Sequence, residues 1–168
     1  MSAPTSRWRS WLPEGVALVA VVLVVGAWQT RHHVAGLAPD FELQPLAGGP
    51  KVSRASLAGK PVLLVFWAPW CGVCRAEADN VERTRTLAGS RAEVVTVALG
   101  YRSTTEVESA IRAQGFQGRV LLGTEATQSA FAVTSYPTAY FLDAEGRVQH
   151  SVVGYTTTLG MALRLLVL

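Results

Sequence analysis

Two cysteines separated only by Gly72-Val73 lie just downstream of an unbroken apolar run, and this arrangement constrains the chain more than any other feature. The run is Pro61-Val62-Leu63-Leu64-Val65-Phe66-Trp67, followed by Ala68-Pro69-Trp70-Cys71-Gly72-Val73-Cys74-Arg75. It has apolar residues on both faces, as a strand buried on both sides requires. Ala68-Pro69 then turns the chain, and a helix is expected to begin near Cys71. Cysteines at this spacing on a first helical turn can close a small disulfide ring. The first lies where unpaired backbone N–H groups and the helix dipole stabilise a thiolate, so its pKa is expected below the roughly 8.5 of a free thiol. Cys71 is therefore the expected nucleophile. Cys74, a turn further in and less exposed, is expected to resolve the mixed disulfide.

The chain holds no other cysteine. A secreted domain stapled by disulfides would show several at wide spacings. A structural zinc site would need a second pair or partnering histidines. The pair must act by itself, which favours redox chemistry. The formal charge of +3 is not gathered into a basic stripe with interleaved aromatics, so nucleic-acid binding is a poor reading. The length of 168 residues leaves room for one ordinary domain and a short appendage.

Around the motif, Phe41-Glu42-Leu43 and Val52-Ser53 read as a small hairpin about Gly48-Gly49-Pro50. The helix opening at the cysteines should run to about Leu87. Glu93 to Leu99 reads as a second central strand, Thr104 to Gln114 as a helix, Val120 to Leu122 as a short strand and Ala126 to Phe131 as a short helix. Thr138 to Leu142 and Arg147 to Val153 make two strands joined by Asp143-Ala144-Glu145-Gly146. In Leu159 to Leu168, a closing helix, Leu159, Ala162, Leu163 and Leu166 fall on one stripe. Strands and helices alternate and finish in a hairpin plus helix: an α/β fold, its central mixed sheet flanked by helices on both faces.

The N-terminus predicts something else. Val16 to Trp28 carries no charge, and extending back to Leu12 gives about 25 Å of helix at 1.5 Å per residue. Bilayer thinning and anchoring side chains can close the gap to a hydrocarbon core of roughly 30 Å. Trp8, Trp11 and Trp28 bracket the segment like an interfacial aromatic belt. Arg7 and Arg9 precede it, and Arg31 is the only fixed positive charge just after it. The positive-inside rule then places the N-terminus in the cytoplasm and the bulk of the chain across the membrane. The expected organisation is a short cytoplasmic tail (1–11), a transmembrane anchor (12–30), a linker (31–36) and the α/β domain (37–168). Val25-Gly26-Ala27 would also serve as a signal-peptide cleavage site, and either outcome exports the domain.

A CxxC that follows a buried strand with Trp-Ala-Pro-Trp is specific, and from Leu37 onward the chain resembles the thioredoxin superfamily. More narrowly, it is similar to the membrane-anchored TlpA/ResA-like branch. Trp70-Cys71-Gly72-Val73-Cys74-Arg75, Thr96-Val97-Ala98-Leu99 and Gly160-Met161-Ala162-Leu163-Arg164-Leu165 look closest to the ScsD-type protein disulfide oxidoreductases, named for suppression of copper sensitivity. The resemblance implies that Pro137, in Ser135-Tyr136-Pro137-Thr138, is a cis-proline packed against the active-site disulfide. Backbone groups of Tyr136 would then pair with an extended substrate by strand addition. It implies too that Glu77, three residues after Cys74, handles protons; a solvated first-turn glutamate that merely favours the helix dipole is the competing reading. Thioredoxin itself carries a buried aspartate where this chain has Val65, which makes Glu77 the candidate proton acceptor.

Among the neighbours, Trp70, Gly72 and Val73 are expected to meet substrate, with Trp70 shielding the thiolate face, while Trp67 reads as core. Arg75 would either lower the Cys71 pKa or sit solvated on the helix. Gly154 is a close-approach point for a partner or an ordinary turn glycine. His32 and His33 read as linker residues and His150 as a strand residue. No resident cofactor or metal is called for. The expected activity is disulfide exchange with exported protein thiols or disulfides, as a reductant in a periplasmic redox or copper-tolerance pathway. The domain would hang from a single-pass anchor in a bacterial inner membrane, and the family implies a transmembrane thiol reductase as electron donor. The alternative is a copper(I)-binding module or metallochaperone, since soft thiolates select Cu(I). A peroxidase reading lacks the threonine and proline required before a single peroxidatic cysteine.

Overall fold

The computed structural model describes residues 34–168 and, before them, Gly15, Val16, Ala17, Ala20, Val21 and Val24, which are helical. The expected tail, most of the expected span, and His32 and His33 lie outside the described residues. Among the described residues, no helix is long and apolar enough to cross a membrane.

Eight strands form the sheet: β1 (Gly36–Leu37), β2 (Glu42–Pro45), β3 (Val52–Ser53), β4 (Val62–Trp67), β5 (Glu93–Ala98), β6 (Arg119–Leu122), β7 (Thr138–Leu142) and β8 (Arg147–Val153). Four helices follow in the domain: α1 (Gly72–Ala88), α2 (Thr104–Gln114), α3 (Glu125–Ala130) and α4 (Thr158–Leu166). The strand order is β1-β8-β7-β4-β5-β6-β2-β3. β4, β5 and β6 run parallel, and β7 and β2 join them antiparallel. The sheet is therefore mixed and the fold thioredoxin-like.

β4 sits at the centre because all six of its side chains are buried. They alternate between two cores, as a period of two demands. Leu63, Val65 and Trp67 enter one core with both cysteines, Val81 of α1 and Met161 of α4; Val62, Leu64 and Phe66 enter the other with Phe41, Phe131 and Tyr140. The second core is aromatic, with Phe131 in ring contact with Phe41, Phe66 and Tyr140.

Two expectations need correction. Gly36, expected in the linker, already pairs with Val148 as β1. A strand of two exposed residues has no alternation to read. In α4 the buried residues are Met161 and Leu165, while Leu159, Leu163 and Leu166 are exposed. The expected stripe therefore faces outward. The helix is apolar on most of its circumference, so spacing alone did not select the inner face. Its partner did: Met161 packs on α1, where the Thr84 hydroxyl meets the Met161 sulfur at 3.5 Å.

Candidate active site

The cysteines stand where the central strand gives way to α1. The Cys71 N–H closes a turn on the Ala68 carbonyl, and Cys71 then serves as N-cap with extended backbone. Its sulfur accepts the Cys74 N–H at 3.0 Å. The N–H that a serine or aspartate cap would satisfy is here turned onto sulfur, the geometry that favours negative charge on that atom. Cys71 and Cys74 are joined as a disulfide with Cα atoms 5.2 Å apart. Their residue exposures are 6% and 5%, so the expected contrast between an exposed first cysteine and a shielded second one is absent in this oxidised form. What separates them is position: Cys71 precedes the helix and Cys74 belongs to it.

Around the disulfide the expected residues divide into an exposed group and a buried one. Gly72, Val73 and Arg75 are exposed on the first turn of α1. Trp70 is 63% exposed, yet its indole is fixed: Nε1 donates to the Gly100 carbonyl at 2.9 Å, and the ring meets Tyr136 edge-on with centroids 5.6 Å apart. Gly100 has φ +59°, a left-handed conformation that glycine adopts without strain. The Tyr136–Pro137 bond is cis. Tyr136 packs against the cluster that contains both cysteines, and Pro137 is buried. The β7–β8 ladder begins at Thr138↔Val153, so the backbone of Tyr136 lies beyond it. Gly154, at φ +84°, donates to the Pro137 carbonyl, and a Cβ there would meet open space. Tyr155, next to it, is exposed. Sequence reasoning missed Tyr155, because a tyrosine after a strand gives no signal of its neighbours.

Glu77 lies on the inner side of α1. Only 2% of its surface is exposed, so it is not the solvated first-turn glutamate of the competing reading. Its Oε1 accepts the Thr156 N–H at 2.6 Å. Burial pushes its carboxyl up to about 7, against the lowering effect of that hydrogen bond. The β8–α4 loop that supplies Thr156 is held down by Asn80, one turn along α1. Asn80 donates to the Tyr155 hydroxyl and the Thr156 carbonyl and accepts from the Thr158 hydroxyl. Asn80 also escaped the sequence reading, since its partners lie 75 to 78 residues away. Val65, buried on β4, shares a small cavity with Cys74 and Glu77. The buried carboxyl is thus supplied by the helix, beside a strand position that holds valine.

Trp67 is buried in the cysteine-side core, as expected of a packing residue. His150 is exposed on β8 with its ring edge-on to Phe141. Among the described residues, no three His, Cys, Asp or Glu side chains are gathered to hold a metal ion. The arrangement offers a reversible disulfide, a fixed aromatic wall, and a buried acid that titrates near neutrality.

A family model described as the AhpC/TSA family matches residues 34–151. The chain is 35% identical over 132 residues to the thioredoxin-like protein YneN of Bacillus subtilis (strain 168), spanning 76% of each sequence. It is 30% identical over 122 residues to the thiol-disulfide oxidoreductase ResA of the same organism, covering 71% of this chain and 67% of ResA. Among solved structures, a thiol:disulfide interchange protein of the thioredoxin family from Chlorobium tepidum TLS is similar with a TM-score of 0.70 at 26% identity. That match covers 80% of this chain and 96% of the other.

Proposed function

We propose a function from one premise: this chain belongs to the AhpC/TSA family, in its TlpA/ResA-like branch, and is a thiol–disulfide oxidoreductase of the ResA type. Its specific task, in our reading, is to reduce disulfides in exported proteins while tethered to the membrane by residues 12–30. Cys71 is the attacking sulfur. The observation that carries this assignment is the cap geometry, in which the Cys74 N–H points at the Cys71 sulfur from the start of α1.

In the reduced protein, the Cys71 thiolate attacks one sulfur of a partner disulfide. A Cys71–partner bond forms, and the other partner sulfur leaves as a thiolate that takes up a proton. Glu77, as the carboxylate, then accepts the Cys74 proton. The Cys74 thiolate attacks the Cys71 sulfur, restoring the Cys71–Cys74 bond and releasing the second partner thiolate. Two electrons pass to the partner. A membrane dithiol reductase returns them by the same exchange in reverse. Trp70, Tyr136 and the cis-Pro137 turn form the wall against which an extended cysteine-bearing segment lies, with the open space over Gly154 at its edge. The uncharged span and its flanking tryptophans and arginines support export to the periplasmic side of a bacterial inner membrane. A copper-tolerance pathway rests on the ScsD-type resemblance alone.

The test is trapping. Cys74→Ser should accumulate a mixed disulfide through Cys71 with disulfide-bearing substrates in membrane preparations, and Cys71→Ser should accumulate none. A glutathione redox equilibrium then fixes direction. A potential near about −270 mV makes the protein a reductant, whereas one near about −120 mV would overturn that part of the reading.

A further inference from the structure

The large apolar side chains left exposed on the domain fall mainly in two places. Trp70, Val73 and Tyr155 lie about the cysteine motif, where disulfide exchange accounts for them. Leu159, Leu163 and Leu166 lie on α4 and Val167 caps it, each more than half exposed. Their helical spacing of i, i+4, i+7 and i+8 puts them on one face. Leu87, exposed near the end of α1, extends that face, because it and Leu166 line one groove of about 370 Å³ between the two helices. A contiguous apolar surface of this kind marks an interaction site. α4 runs alongside α1 in the same direction: Thr158 bonds Asn80, Met161 meets Thr84, and Leu165 shares the groove with Ala88. The patch therefore leads toward the end of the domain away from the cysteines.

The rim of the patch is basic. Arg83 is exposed at helical spacing from Asn80 and Leu87, on their side of α1. Arg91 lines the groove, its Nη2 donating to the Leu87 carbonyl at 3.1 Å. Arg164 of α4 donates to the Gly160 carbonyl. Among the described residues, none of these three arginines has a carboxylate partner. Residues 146–168 hold no Asp or Glu, and on α1 Glu82 is turned to Arg85. Two copies meeting through this face about a two-fold axis would set arginine against arginine. An apolar stripe rimmed by unpaired cations fits an anionic lipid surface instead, as interfacial helices do. The tether keeps such a surface close, since residues 31–35, between the proposed span and β1, extend at most about 20 Å. β1 pairs with β8 at Arg147 and Val148, the end remote from Val153 and the cis-proline turn. Chain entry and patch thus both lie away from the disulfide.

We propose that the outer face of α4, with Leu87 and the arginines around it, docks on the anionic lipid surface of the membrane that tethers the chain. The proposal takes the tethering by residues 12–30 given above as its premise and adds a second, reversible contact. Leu159, Leu163 and Leu166 enter the headgroup boundary, and Arg83 and Arg91 meet the phosphates. Docked in this way, the domain keeps the disulfide, Trp70 and the cis-proline turn open to exported substrates.

The experiment uses the full-length protein in vesicles of phosphatidylglycerol or of phosphatidylcholine. Leu163→p-benzoylphenylalanine supplies a photo-crosslinker on the patch, and Thr105→p-benzoylphenylalanine, exposed on α2, is the control. In phosphatidylglycerol, position 163 should give several times the lipid adduct of position 105. The yield at 163 should fall in phosphatidylcholine, and again in Arg83→Glu, since each arginine near an anionic surface is worth roughly fivefold in the docked-to-free ratio. The comparison of lipids needs no arginine variant, so it decides the matter even where Arg83→Glu does not fold. Equal yields at 163 and 105, equal yields in the two lipids, or a 163 adduct to a second copy would each overturn the proposal. Washing with alkaline carbonate tests the tether separately. A chain removed by the wash sinks the tethering reading, while a charge-dependent adduct at 163 formed beforehand would still establish docking.

Discussion

At the scale of single residues, Glu77 ties stability to acidity. Its carboxyl is taken from an ordinary 4.5 to about 7, first by burial, with the Thr156 N–H working the other way. Below 4.5 both folded and unfolded chains hold the proton. Between 4.5 and about 7 the unfolded chain releases it while the folded one keeps it, so stability falls as pH rises through that window and is level again above it. The size of the loss is about 3 kcal/mol. Urea unfolding of oxidised wild type and Glu77→Gln should therefore diverge by about that amount between pH 4 and 8, the wild type losing ground. Parallel curves would mean that water reaches the carboxyl freely. The sequence placed Glu77 on the cysteine face, because helical spacing is local. It left burial open, because the residue that covers it is 79 positions away.

Elements were legible where one face was unambiguous. The apolar β4 run, the start of α1 at the cysteines and the β7–β8 hairpin all follow from patterns local in sequence. α4 was legible as a helix and illegible as a surface, because Leu159, Met161, Leu163, Leu165 and Leu166 leave two apolar stripes to choose from. Contact with α1 selects Met161 and Leu165. The two stripes should then respond unequally to truncation. Met161→Ala, at a fully buried position against Thr84, should cost about 2–5 kcal/mol. Leu163→Ala, at an exposed one, should stay within about 0.5 kcal/mol. Denaturant midpoints of the two variants decide it, and equal losses would mean that something covers the outer stripe.

The whole molecule divides its labour across the sheet. One core carries the cysteines, Trp67, α1 and α4; the other is built on Phe41, Phe66, Phe131 and Tyr140, with the Tyr140 hydroxyl donating to the Phe131 carbonyl. β4 belongs to both through alternate residues, and half-buried Tyr136 touches both clusters. A loss of packing on the aromatic side should thus lower stability without reaching the sulfurs, unless it moves Tyr136. Phe131→Ala removes a fully buried ring and should cost about 3–5 kcal/mol in urea unfolding. The alkylation rate of Cys71 in the reduced, still folded variant should remain within about twofold of wild type, since the N-cap geometry and the Glu77–Thr156 contact lie on the other face. A tenfold change would show that the aromatic core sets the site through Tyr136, and the two faces would then have to be treated as one unit.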